Sequence, residues 1–156
     1  MPSSRPGSDR AAGRSVVDSR DAKDGRPRLT GLDHLVLTVA DPEATATFYA
    51  HVLGTGRETF RPADGSTRLA LTFGDQKINL HRAGAEWEPK AAHPGPGTAD
   101  LCFLTDVPLA IWQAHLAAQG VAVEEGPVAR TGATGPITSI YLRDPDGNLI
   151  EVSIRD

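Results

Sequence analysis

The sequence holds a single cysteine, Cys102, in 156 residues. An internal disulfide is therefore excluded, and so is any CxxC zinc or redox pair. A lone thiol fits a reducing compartment, so a cytoplasmic location is expected. Aromatic residues make up only 5% of the chain, too few for a base-stacking platform. Long apolar runs are missing as well, and none approaches the roughly 20 residues that a membrane span needs. The leader MPSSRPGSDRAAGR carries arginines with no apolar stretch behind them, which argues against a secretory signal.

Basic charge is scarce outside the start of the chain. Residues 1–28 hold six Arg and one Lys against four Asp, whereas the remaining 128 hold nine basic and sixteen acidic side chains, a balance of −7. Such an acidic region excludes a nucleic-acid surface, which needs clustered Lys and Arg. Residues 1–28 are rich in Ser, Gly, Pro, Arg and Asp, and Val16-Val17 is their only apolar pair. They bury too little to offset chain entropy, so a disordered tail is expected. Residues 29–155 suffice for one domain, burying roughly two thirds of its unfolded surface without a staple.

What is present is periodic. In LDHLVLTV, Leu35, Leu37 and Val39 face one way, while His34, Val36 and Thr38 face the other, as in a half-buried strand. Asp41-Pro42-Glu43 supplies an N-cap, an N1 proline and a first-turn acid for a helix that Gly54 closes. Segments 57–60, 68–73 and 77–81 read as three strands. The order then repeats: a strand over 98–104, a helix opened by Asp106 and Pro108 and closed by Gly120, and strands over 121–124, 137–143 and 148–154. GPVARTGATG, residues 126–135, reads as a flexible loop flanking a pocket. Adding 66 maps His34 to Asp100, Pro42 to Pro108 and Gly54 to Gly120, which argues for a duplicated module. Module one is expected over 29–85, a Pro-rich linker over 86–97 and module two over 98–155. The fold class is therefore α+β, with two βαβββ modules.

One face of these strands is apolar and must pack on the helices; the other carries His34, Thr38, Asn79, His81, Asp100, Glu151 and Ser153. Two imidazoles and two carboxylates are the usual ligands for a divalent metal. If the modules curl around one cavity, His34, His81 and Glu151 converge on an ion with open coordination sites. Asp100 is expected to orient a ligand, and either Asp100 or a displaced Glu151 to act as a base. Asn79, His93, Tyr141 and Arg143 are candidates for the substrate pocket, with Arg143 equally suited to a surface ion pair. His51 and His115 read as surface or helix-packing residues, Trp112 as core, and nothing marks Cys102 as a nucleophile.

The runs LDHLVLTVADPEATATFYAHVLG, FGDQKINLH and SIYLRDPDGNLIEVS resemble the vicinal-oxygen-chelate superfamily of glyoxalases, bleomycin-resistance proteins and dioxygenases. Within it, the chain looks most similar to the glyoxalase domain-containing protein 5 branch. The resemblance covers about residues 29–155. It implies an open, curved, eight-stranded mixed sheet, often a homodimer, and a divalent ion (Fe, Mn, Ni, Co or Zn) chelating neighbouring oxygens of a small substrate. The implied activity is that of a lyase, isomerase or dioxygenase; the alternative is a metal-independent protein that sequesters a drug or metabolite. His34 and Glu151 match the family's first-strand histidine and last-strand glutamate. Asp100 stands where a second histidine is usual. Asn79 stands where a glutamate is usual, with His81 two residues further on the same face.

Overall fold

A computed structural model describes residues 26–156. The tail expected over 1–28 lies outside the described residues except for 26–28, which form neither helix nor strand. Leu32–Asp156 is one compact unit. Its elements run β1 (His34–Val39), α1 (Pro42–Leu53), β2 (Gly56–Phe60), β3 (Arg68–Phe73), β4 (Gln76–Arg82), β5 (Asp100–Leu104), α2 (Leu109–Ala118), β6 (Glu125–Gly132), β7 (Gly135–Arg143) and β8 (Leu149–Arg155). Both helices and eight strands are present, as the duplicated module requires. Hydrogen bonding divides the strands into two sheets of four, ordered β1-β4-β3-β2 and β5-β8-β7-β6. In each sheet the first and last strands of a module pair in parallel and the remaining pairs are antiparallel.

The duplicated landmarks play duplicated parts. Asp41 caps α1 by accepting from the Glu43 and Ala44 amides, Pro42 opens the helix, and Gly54 ends it at φ 70°. Gly120 takes the same φ of 70° just beyond α2, a backbone state that costs glycine little. Three expectations need correction. Asp106 does not open α2: the helix starts after Pro108, which holds the N-cap without any side-chain cap. The run 126–135 is no loop. Its first seven residues belong to β6, which lies at the sheet edge, the place where a strand tolerates Pro127. Residues 121–124, expected as a strand, form no ladder, and Val121 and Val123 pack against the core instead.

The apolar faces of both sheets share one core with the helices, including Leu37, Tyr49, Leu71, Ile78, Leu116, Leu142, Ile150 and Val152. Phe73 of β3 meets Phe103 of β5 edge to face at 5.1 Å. β3 is separated from the β1 edge by β4, so this contact joins the two sheets through their apolar faces. The polar faces of the two sheets point away from that contact.

Candidate functional site

On the second sheet, the parallel register sets Cys102 beside Glu151, and the antiparallel register sets Tyr141 on its other side. Period two then places Ser139, Ser153 and Asp100 on the same face. Ser139 and Ser153 are fully buried. Ser139 donates to Glu151 Oε1 at 2.5 Å, and Ser153 approaches the same oxygen at 3.3 Å and Ser139 at 2.8 Å. The Cys102 Sγ lies 3.3 Å from Ser153 Oγ, and burial holds the thiol above its ordinary pKa. Arg130 Nε donates to Tyr141 Oη at 2.9 Å, while its Nη2 pairs with Glu125 at 2.8 Å. Burial, with Glu151 beside it, raises the Tyr141 pKa, against the pull of Arg130. Neutral donors therefore converge on one carboxylate oxygen. Beside Glu151 opens a cavity of about 390 Å³, walled by Cys102, Leu104, Arg130, Ile137 and Tyr141.

On the first sheet, the register pairs His34 with Lys77, Val36 with Asn79 and Thr38 with His81. His34 is exposed, with Nδ1 2.6 Å from Asp33 Oδ1. His81 is 5% exposed. Its ring meets Trp87 edge-on at 4.9 Å, and Arg68 covers the Trp87 ring at 4.5 Å. Burial lowers the His81 pKa, and the Arg68 guanidinium lowers it further, against Glu86. His81 and His93 share a cavity of about 350 Å³ with Thr38 and Lys90. Asn79 Oδ1 is buried and has no hydrogen-bond partner among the described residues.

The candidate residues thus fall into separate sets. Asp100, Tyr141 and Glu151 stand on the second face; Arg143 lies at its margin, bound to Glu124 through two nitrogens at 2.7 and 3.0 Å. His34, Asn79 and His81 stand on the first, with His34 and His81 four register positions apart, about 13 Å along the strand. Among the described residues no three His, Cys, Asp or Glu side chains gather closely enough to hold a metal. The donor set of one chain therefore does not fit a shared ion. Ser139 and Arg130 are the site residues that sequence reasoning passes over. Ser139 carries a signal, since it lies two residues before Tyr141 and so shares its face. Arg130 is hidden as long as β6 reads as a loop.

Two βαβββ modules, each with an apolar face toward a common core and a polar face carrying ligand-type side chains, define the vicinal-oxygen-chelate class. The chain belongs to the Glyoxalase/Bleomycin resistance protein/Dioxygenase superfamily, whose family model matches residues 31–152. Virulence protein STM3117 of Salmonella typhimurium is 55% identical over 122 residues, 78% of this chain and 82% of its own. Glyoxalase domain-containing protein RDO1 of Mycosarcoma maydis is 55% identical over 125 residues, 80% of this chain and 68% of its own. A solved structure from the mobile metagenome of V. Pseudocholerae superposes with a TM-score of 0.79 at 55% identity, covering 84% of this chain and 98% of the other. These matches establish the superfamily and not a branch within it. No helix among the described residues is long and apolar enough to cross a membrane.

Proposed function

We propose that the protein is a metal-dependent lyase, isomerase or dioxygenase of the vicinal-oxygen-chelate kind whose site is shared by two copies of the chain. The carrying observation is the division of the donors between two outward faces of one core. His34 and Asn79 of one copy, facing Asp100 and Glu151 of a second, make the mixed imidazole and oxygen set that suits Fe, Mn, Ni, Co or Zn. Val36 and Leu32, 47% and 62% exposed beside His34, are apolar surface that such a partner covers. A divalent ion held there by His34, Asn79, Asp100 and Glu151 would supply Lewis acidity to neighbouring oxygens of a small substrate. The chain's own contribution is positional. Ser139 and Ser153 occupy Oε1 of Glu151, and Tyr141, steadied by Arg130, lines the cavity into which a substrate enters. His81 and His93 lie off to one side, as pocket wall, in this reading.

Subunit complementation tests the reading. His34→Ala and Glu151→Ala are each purified free of metal, and binding of Mn, Fe, Ni, Co and Zn is read by calorimetry and by the shift in melting temperature. Each variant alone should bind none. Their mixture, after exchange of subunits, should regain binding, because one of the two sites in a mixed dimer keeps both residues. A mixture as inert as its parts, from chains shown to exchange, overturns the shared site.

A second reading follows from Asn79 and Asp100, which depart from the family's ligand pattern. The same cavity then sequesters a small molecule without turnover, and binding is indifferent to chelators.

A further inference from the structure

A cavity of about 810 Å³ belongs to neither polar face. It opens where the apolar faces of the two sheets meet the end of α1 and the start of α2. Leu53, Phe73, Phe103, Trp112 and Ile154 line it. Its volume falls within the range of small-molecule sites, which typically bury most of a ligand against apolar and aromatic walls. The Phe73–Phe103 pair is nearly perpendicular, at 82°, so the two rings present an edge and a face, the arrangement against which a further ring packs. Trp112 is pinned at the cavity wall, its Nε1 donating to Thr105 Oγ1 at 3.1 Å.

Two polar features give the cavity a direction. Thr55 lines the wall, and its hydroxyl is buried without a partner among the described residues. The guanidinium of Arg155, at the rim, is exposed and has no hydrogen bond or ion pair among the described residues. A guanidinium offers a fork of donors matched to a carboxylate or sulfonate. Asp106 also reaches the lining, but it stands on the exposed loop before α2 and forms no salt bridge with Arg155. Apart from these two residues the wall carries no charge.

We propose that this cavity is a second small-molecule site, which takes a planar apolar compound carrying one carboxylate or sulfonate. The ring system lies between Phe73, Phe103 and Trp112, and the anion meets Arg155 at the mouth. The site is separate from the Glu151 face, although Arg155 borders both cavities.

The test uses the full chain with Trp87→Phe, so that Trp112 is the sole indole. Naphthalene-2-carboxylate and 1-anilinonaphthalene-8-sulfonate are titrated while Trp112 emission is followed. Saturable binding of one molecule per chain is expected. Arg155→Gln should weaken both anions about tenfold, the worth of one charge-assisted contact, and leave neutral 2-naphthol unchanged. Leu53→Tyr, which fills part of the cavity without adding an indole, should abolish binding of all three. Since that variant carries a folding risk, the role of the charge is decided by the surface change Arg155→Gln. Glu151→Gln should leave the affinities as they were, which separates this site from the shared one proposed above. Three results overturn the proposal: no saturable binding; equal anion binding in Arg155→Gln; or probe binding that falls with rising protein concentration in step with self-association measured by sedimentation. The last would show that a second copy occupies the cavity.

Discussion

The two modules have the same skeleton and opposite habits on their polar faces. In the second, the residue opposite Glu151 is Tyr141, and Ser139 and Ser153 flank the pair, so the carboxylate is held by hydroxyl donors. In the first, the position equivalent to Glu151 is Asn79. The residue opposite it is Ala70, and the flanking positions are Arg68 and His81. Arg68 is turned away to Asp64 and Trp87. Ala70 has no donor to offer, and Asn79 Oδ1 is left without a partner. Duplication thus kept the apolar faces, caps and register, which fold the chain, and let the polar faces diverge. One face holds its acceptor firmly in place; the other keeps one open, and that asymmetry is what the proposed pair of half-sites needs.

The strongest way to break the comparison is to strike its shared part. Leu71 and Leu142 occupy equivalent central positions, and both are fully buried in one core. Leu71→Ala and Leu142→Ala should each cost about 2–5 kcal/mol. Because the core is common, each should lower one single melting transition, seen by circular dichroism and by calorimetry alike. Two separate transitions would mean that the modules fold independently.

A contact between the modules comes next. Tyr49, fully buried in α1, donates to Asp144 Oδ2 at 3.1 Å in the turn before β8. Tyr49→Phe should cost about 1–2 kcal/mol, since Asp144 retains Asn148 as a donor. Burial, followed by the charge of Asp144, pushes the Tyr49 pKa far above its ordinary 10. The unfolded chain therefore releases this proton near pH 10 while the folded chain keeps it. The contribution is complete below pH 10 and is lost as pH rises beyond it. Denaturant titrations from pH 8 to 11 should show a steeper alkaline loss for the parent than for Tyr49→Phe. Parallel curves would mean that Tyr49 ionises as easily folded as unfolded.

How much of this is legible in the sequence follows from what local pattern encodes. Alternation assigns Leu35, Leu37, Ile78, Leu80, Ile150 and Val152 to the core side and Glu151 and His81 to the other, because side-chain direction along a strand is fixed by period two. Asp41, Pro42 and Gly54 announce α1, because capping is local chemistry. β6 escapes a local reading because Gly126, Pro127 and Gly132 carry turn chemistry, and only its edge position excuses them. Convergence of His34, His81 and Glu151 is a matter of how two sheets pack. Strand pattern says which way a residue faces and nothing about which neighbour its sheet will meet. Phe73 and Phe103 settle that packing, and no local signal links them.

Ser139→Ala sharpens the contrast between the faces. It removes the shortest donor to Glu151 while leaving Ser153 and Tyr141 in place, so the stability loss should be about 1 kcal/mol. Ser139→Thr, which keeps the hydroxyl, should recover part of it. The mobility of the Glu151 side chain, followed by methylene relaxation in solution, should rise in the alanine variant and fall back with threonine. An unchanged side chain in Ser139→Ala would mean that the hydroxyls do not hold Glu151.

The smallest effect belongs to the first face, and its smallness is the point. Asn79 Oδ1 makes no hydrogen bond, so Asn79→Ala relieves that acceptor and loses no bond through it. A buried acceptor without a partner is a standing cost, offset here by the packing of its half-buried side chain. Its loss should change stability by less than about 0.5 kcal/mol in either direction. The same substitution should weaken divalent-ion binding by the two-copy assembly, because it deletes an oxygen of the proposed shared set. Chemical denaturation and metal titration of this one variant therefore answer separate questions. A large stability loss would show that Asn79 has a structural partner after all, and the difference between the two faces would shrink to one of residue type. Unaltered metal binding would leave Asn79 as pocket wall and move the open coordination position elsewhere on the first sheet.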